Sequence, residues 1–524
     1  VQSLSSKNAM PYEVLPTSRP ISLHGENIEA KRQELLDYFV STWEQYEALF
    51  SPLKDEALYI AAESLRHPLI FYFGHTATFY VNKMILAQLT DARVDSELEA
   101  MFAIGVDEMS WDDLDSAHYD WPTRGIVKEY RDKVRARICD FIKSMEITLP
   151  ITQQCPAWLV LMGIEHERIH LETSSVIMRM LPLDLIDATR AESWPVCTEA
   201  GIAPAVEWLS IPATVVKLGK SDSDRSYGWD NEYGYDEQKL EQFKVATTLV
   251  SNQDFLKFVQ AWGYKKARYW TAEGRQWLDY TQSQHPKFWR TTLSGKFLQR
   301  NLFSEMPLPM DWPVEVNYLE AKAYCNWMRE CIGEPVRLPV EAEWSALRLS
   351  ELGEGSGEGN INLDQYASSC PVTVNRHGRL YDVTGNVWQW TESPIDGYPG
   401  FNVHPWYDDF STPTFDGKHN LIKGGSWIST GNETLASSRY AFRRHFFQHA
   451  GFRMVISEQE PETQAQDNVY ETDELIAQYC EFHYGNKYFS VQNFPVACVQ
   501  TLMTHVQANS IATDRALDLG CAVG

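Results

Sequence analysis

The sequence predicts a multidomain chain: an all-α helix bundle first, an irregular α+β domain second, and the opening of an α/β Rossmann-like domain last. Three observations carry that reading. Residues 27–190 repeat apolar side chains at three- and four-residue spacing with few interior glycines or prolines, the period of amphipathic helices. From about residue 192 that period breaks into short pieces separated by Gly, Asn, Asp, Pro and Trp, the composition of long ordered loops. The chain then closes on Leu517-Asp518-Leu519-Gly520-Cys521-Ala522-Val523-Gly524. That is a short apolar run entering D-x-G-x-x-x-G, as at a nucleotide-type βα turn.

A length of 524 residues exceeds what one core supports, and about three domains are expected. The formal charge of −25, from 71 acidic and 46 basic residues, argues against nucleic acid or an anionic lipid surface as a partner. No apolar run approaches the ~20 residues of a membrane span. Val1 to Pro20 lacks the charged-then-apolar order of a signal peptide, so a cytoplasmic protein is the expectation. The nine cysteines are scattered, with no C-x-x-C pair, which indicates neither a disulfide framework nor a cysteine-rich zinc site.

Residues 1–26 form an arm ahead of the bundle, which covers 27–190. Helices are expected over 28–50, 56–66, 69–90, 94–104, 124–146 and 155–181, packed against one another. The fifth segment carries the stripe Ile126, Val127, Tyr130, Val134, Ile138, Phe141 and Ile142. The sixth contains Glu165-His166-Glu167-Arg168-Ile169-His170-Leu171-Glu172. His166 and His170 lie one turn apart on one face, so both imidazoles can meet one ion without bending the backbone. The letters also satisfy H-E-x-x-H of zinc proteases, a short pattern of low specificity. Three readings stand at this point: a single-helix zinc-protease site, structural histidines, or a metal site completed by a remote third ligand. Glu172 lies two residues past His170, roughly 200° around the helix. It is therefore expected to hydrogen-bond a ligand histidine, or to form an ion pair, and not to bind the ion itself.

The second domain, 191–456, shows only local helices, at 251–262, 318–332 and 340–350. Most of the 18 tryptophans fall between residues 194 and 427, so buried aromatics are expected to hold it together more than extended ladders do. Residues 457–469 are polar and acidic and read as a linker. The incomplete third domain covers 470–524.

Four motifs follow in order in the second domain: Val336-Arg337-Leu338-Pro339-Val340-Glu341-Ala342-Glu343-Trp344, Tyr381-Asp382-Val383-Thr384-Gly385-Asn386-Val387-Trp388-Gln389-Trp390, Gly424-Gly425-Ser426-Trp427 and Gly451-Phe452-Arg453. The set resembles the formylglycine-generating-enzyme (sulfatase-modifying factor) fold, which is C-type-lectin-like. Those generators use a cysteine pair after G-G-S, but Trp427 to Arg444 contains no cysteine, so copper–cysteine chemistry is not expected. The bundle resembles the DinB-like domain that precedes this fold in the iron-dependent sulfoxide synthases of thiohistidine biosynthesis.

That resemblance implies one Fe(II) held by His166, His170 and an earlier histidine. The earlier one is His75, in Phe73-Gly74-His75-Thr76-Ala77-Thr78-Phe79, with His67 as a lesser candidate. Three neutral ligands leave three of six octahedral positions for a substrate nitrogen, a cysteine thiolate and O₂. The resemblance further implies carboxylate clamps for amino-acid substrates: Arg443 and Arg444, beside Tyr440 and Phe442, with Arg124 from the bundle side. It implies a tyrosine acting near O₂, for which Tyr407 is the better positional match and Tyr398 the other. A methyltransferase start after the second domain points to the ovothiol branch. There L-cysteine is joined to C5 of L-histidine, giving 5-histidylcysteine sulfoxide. A C-terminal methyltransferase then uses S-adenosylmethionine, here through Asp518, Gly520 and Gly524. Two alternatives stay open: an ergothioneine-type synthase acting on trimethylated histidine, and a non-enzymatic binding protein on the same folds.

Overall fold

Asn27 starts the first helix by accepting the Ala30 N–H at 2.9 Å, satisfying one of the open donors of the first turn. α1 (Ile28–Phe50) then buries Leu35, Phe39, Thr42, Tyr46 and Leu49 at helical spacing. The computed structural model describes residues 19–103, 120–353, 358–408, 410–459, 461, 487–488, 491–492 and 494–508. The chain divides between Pro461 and Glu462 into two units. The first contains both the bundle and the second domain, which pack as one body.

The bundle continues with α2 (Leu69–Leu86), α3 (Ser96–Met101), α4 (Arg124–Ser144), α5 (Pro156–Met178) and the short α6 (Ala188–Ala191). The helix expected over 56–66 is absent. Asp55–Tyr59 makes one 3₁₀ segment, and the Ala62 and Arg66 N–H groups bond back only two and three residues, to Ile60 and Glu63. Pro68 follows, and a proline biases the residues before it away from helix.

α5 lies at the centre, buried along nearly its whole length. A helix covered on all sides must give every polar side chain a partner. Gly163 sets its distance from α2, since a Cβ there would meet the Tyr80 ring at 2.1 Å. This close crossing brings His75 of α2 within reach of α5.

The second domain holds α7 (Asn252–Gln260), α8 (Ala272–Thr281), α9 (Tyr318–Ile332) and α10 (Glu341–Leu352). α8 lies in a segment for which the sequence suggested no helix. Two four-stranded sheets organise the rest. One runs Trp208–Ile211, Phe243–Ala246, Val455–Ile456, Val336–Arg337, all antiparallel. The other runs Tyr440–Arg443, His419–Lys423, Trp388–Pro394, Ala450–Gly451. Its edge strand pairs Ile422 with Tyr440 and Asn420 with Phe442, which puts Tyr440 and Phe442 on one face. Trp312, Trp344, Trp388, Trp390 and Trp427 are among the largest fully buried side chains.

The second unit is described only as a hairpin of Lys487–Tyr488 with Val491–Gln492 and the helix α11 (Phe494–Ala508). Asp518, Gly520 and Gly524 lie outside the described residues.

Candidate functional site

His75, His166 and His170 converge. One ring nitrogen from each falls within 4.8 Å of the others, and Nε2 of His166 and Nε2 of His170 are 3.3 Å apart. His75 Nδ1 lies 2.7 Å from the Phe102 carbonyl. A carbonyl only accepts, so Nδ1 carries the proton and Nε2 keeps its lone pair for another partner. Thr173 Oγ1 stands 3.4 Å from Nδ1 of His170.

Burial, then the neighbouring His170, His75 and Lys83, hold the His166 imidazole well below its usual pKa of 6.5, so the ring is neutral. Neutral imidazoles with converging lone pairs are the donor set of a divalent transition metal. Among the described residues, the buried Nδ1 of His166 has no hydrogen-bond partner, so no bond at that nitrogen selects its tautomer. These residues fit a metal ion. His67 is not among them: its ring packs on Phe71 at 4.4 Å.

The cluster opens on a cavity of about 680 Å³ lined from both domains. The bundle contributes His75, Thr78, Phe79, Asn82, Lys83, Phe102, His166, Ile169, His170 and Thr173. The second domain contributes Asn231, Tyr407, Phe410, His419, Arg439, Tyr440, Phe442 and Arg443. No Asp or Glu is among the described lining residues. The Tyr407 ring is 5.0 Å from Phe79 and 6.2 Å from His166. Lys83 places its ammonium 3.8 Å from the Tyr407 ring centre.

Four expected site residues stand elsewhere. Arg444 is spent inside the second domain on Asn420, Gly417 O and Glu273, at 2.7, 2.6 and 3.1 Å. Arg124 bonds the Leu53 and Phe50 carbonyls at 2.8 and 3.1 Å, tying the end of α1 to the start of α4. Tyr398 hydrogen-bonds Glu341 and has the Arg439 guanidinium 3.8 Å from its ring centre, within the second domain. Among the described residues, Glu172 bonds no histidine and forms no ion pair. It accepts from Trp388 Nε1, from Ser426 Oγ at 3.1 Å and from Ser429 Oγ at 2.7 Å. Burial pushes its carboxyl up to about 7 against those three bonds. Arg439, which also lines the cavity, is committed to Glu341 and to the Asn231 and Asp396 carbonyls.

Lys83 and Phe79 went unassigned in the sequence. The available signal was spacing, since His75, Phe79 and Lys83 follow at four-residue steps on one face of α2.

The sulfatase-modifying factor enzyme 1-like domain family matches residues 199–458, and the DinB superfamily matches 38–174. Among curated relatives, ergothioneine biosynthesis protein 1 of Schizosaccharomyces pombe is 25% identical over 442 residues, covering 76% of this chain and 52% of its own. Both domains thus recur together in one relative. The chain is similar to that relative across a DinB-type domain followed by a sulfatase-modifying factor-like domain. Hercynine oxygenase of Mycobacterium tuberculosis, another relative, is 29% identical over 258 residues, covering 45% of this chain and 58% of its own. That of Mycolicibacterium smegmatis is 25% identical over 329 residues, covering 57% and 70%. The chain thus spans about half the length of the first two of these relatives. A helical first domain and a mixed-sheet second domain are both present here. Among the described residues, no helix is long and apolar enough to cross a membrane.

Proposed function

We propose that this chain is an Fe(II)- and O₂-dependent sulfoxide synthase that joins the sulfur of cysteine to the imidazole ring of a histidine-derived substrate. The observation that carries the reading is the three-imidazole cluster opening on a cavity whose walls come from both domains. His75, His166 and His170 would hold the iron. When bound, the metal supplies the redox chemistry that O₂ requires and a positive charge that favours the thiolate.

The overall change balances without another reductant. The thiol S–H and one ring C–H are given up, a C–S bond forms, one oxygen atom stays on sulfur, and the other leaves as water. The chain's own residues bind, orient and exclude water. Arg443 from the second domain and Lys83 from the bundle line the cavity and suit substrate carboxylates. Phe71, Phe79, Phe102 and Phe410 make its apolar wall. Tyr407, whose ring centre is 6.2 Å from that of His166, would supply a proton from its hydroxyl.

Histidine is the acceptor we favour, on the strength of the D-x-G-x-x-x-G run at Asp518 to Gly524. That run reads as the start of an S-adenosylmethionine-dependent methyltransferase such as follows the ovothiol-type synthases. A second reading, trimethylated histidine, is supported by the relatives named hercynine oxygenase. The aromatic wall also suits a quaternary ammonium. The test is anaerobic Fe(II) loading, then O₂ with cysteine and either acceptor, with mass spectrometry of the products. Coupled sulfoxide from histidine alone supports the first reading, and from trimethylhistidine alone the second. No coupled product from either sinks both.

A further inference from the structure

α5 carries two polar stripes, and one of them faces away from the cavity. His166, His170 and Thr173 form the stripe that lines it. Glu165 and Glu172, seven residues and about two turns apart, form the other, and both reach into the second domain. Glu165 accepts the Asn432 N–H at 2.8 Å and the Tyr38 hydroxyl at 2.6 Å. Glu172 accepts from Trp388, Ser426 and Ser429. The two side chains are 1% and 3% exposed. The opposing loop sits hard against the helix: a Cβ on Gly431 would fall 2.4 Å from a Glu165 oxygen.

We propose that Glu172 is a positioning residue for the coupling reaction. By accepting those three hydrogen bonds it fixes the rotation of α5 about its own axis. It thereby fixes where His166 and His170 stand relative to Tyr407 and Arg443. The inference rests on the function proposed above.

The physical case turns on direction. A buried carboxyl is costly unless hydrogen bonds offset its lost hydration, and an apolar side chain would fill the interface without that cost. Apolar contact, however, is indifferent to small rotations. Three donors from two separate segments, the strand Trp388–Pro394 and the turn carrying Ser426 and Ser429, do not move together with the helix. Turning α5 therefore breaks at least one bond. The donors are also joined to the cavity wall, because the Trp388 ring packs 5.8 Å from Tyr440, which lines it. A rotation of about 10° would sweep an imidazole nitrogen by roughly 1 Å, the scale at which reacting geometry fails.

The test compares Glu172→Leu, Glu172→Gln and Ser429→Ala with the parent, as full chains loaded with Fe(II) under argon. One readout needs no turnover: the electron paramagnetic resonance spectrum of the nitric oxide adduct, which reports ligand geometry. The other is the ratio of cysteine sulfinate to coupled sulfoxide after O₂ is admitted. We expect iron to stay at one per chain in all variants. Glu172→Leu should alter the spectrum and raise the ratio about tenfold. Ser429→Ala should shift both the same way by less, and Glu172→Gln, which keeps one acceptor oxygen, should fall between. A folded, iron-loaded Glu172→Leu with the parent's spectrum and ratio overturns the proposal. So does a loss of coupling that only tracks the folded fraction. If Glu172→Leu does not fold, Ser429→Ala decides by the same two readouts: a shift in both supports the proposal, and parent values overturn it. If the parent makes no sulfoxide, the functional reading fails, while the nitric oxide spectra still decide whether Glu172 sets the geometry.

Discussion

The Phe79 ring lies flat on the His166 imidazole, with centroids 3.7 Å apart and planes 9° from parallel. Phe79 comes from α2, one turn beyond His75, so the helix that delivers one imidazole also fixes the plane of another. Among the described residues, Nδ1 of His166 has no hydrogen-bond partner, and this stack holds the plane of the ring.

Phe79→Leu should therefore cost metal affinity more than fold. The stacked face is lost and the His166 ring is free to swing. We expect Fe(II) affinity to fall about tenfold, with a stability loss of about 1–2 kcal/mol. Metal titration alongside urea denaturation checks this. Unchanged affinity would remove Phe79 from the site.

Glu167 occupies the place of the catalytic glutamate in H-E-x-x-H, yet it does not line the cavity. It accepts from Arg131 at 2.9 Å and from Thr76 at 3.2 Å, with both members of the ion pair fully buried. Burial raises its carboxyl, opposed by Arg131. Glu167→Ala leaves the buried Arg131 charge to the more distant Glu47, at 3.6 Å, which should cost about 2–3 kcal/mol. Iron content per folded chain should not change. A loss below about 1 kcal/mol in denaturant unfolding would contradict the pairing.

His449 makes acid stability a property of the interface. Its Nδ1 accepts from Arg179 at 2.9 Å, so its Nε2–H faces Ser175 Oγ at 2.7 Å. Burial, only partly opposed by Glu315, holds the ring at about 4. The unfolded imidazole takes a proton near pH 6.5 that the folded one refuses until about 4. Stability from this group is thus full above pH 6.5 and lost as pH falls toward 4, by on the order of 3 kcal/mol. Glu320 and Asp382, raised to about 7 by burial, push the opposite way over part of that range. The check is therefore a difference: between pH 4 and 6.5, His449→Asn should show a shallower fall in melting temperature than the parent. Equal slopes would reject it.

Tyr407→Phe keeps the packing against Phe79 and Phe410 and removes only the hydroxyl. Iron and substrate binding should stay near the parent, while product shifts from coupled sulfoxide toward cysteine sulfinate. Tyr398→Phe, in the second domain's core against Arg439, should alter stability and leave the product ratio alone. Measuring the ratio in both variants decides between them. A shift only in Tyr398→Phe would reverse the assignment.

Much of the bundle was legible because helix periodicity is local. The expected runs 28–50 and 124–146 match α1 and α4 to within two residues. The run at 56–66 failed because apolar spacing does not register how short a segment before a proline can be. α8 was missed for the converse reason: Gly274 and Trp277 are buried, but the surrounding loop composition masked the period.

For the site, the sequence by itself determined what covalent spacing can determine. His166 and His170 share a face of α5, and Glu172 points elsewhere, because 100° per residue leaves no choice. The resemblance supplied His75 and Tyr407, and the fold brings both to the cavity. Only tertiary structure decided which charged side chains line the cavity. Arg443 and Arg444 are adjacent in the chain, yet one lines the cavity and the other is held by Asn420 and Glu273. Arg124 goes to carbonyls some 70 residues away, and Glu172 goes to donors more than 200 residues away. A buried polar group takes whichever partner docking delivers, and docking is a property of surfaces that no local spacing encodes.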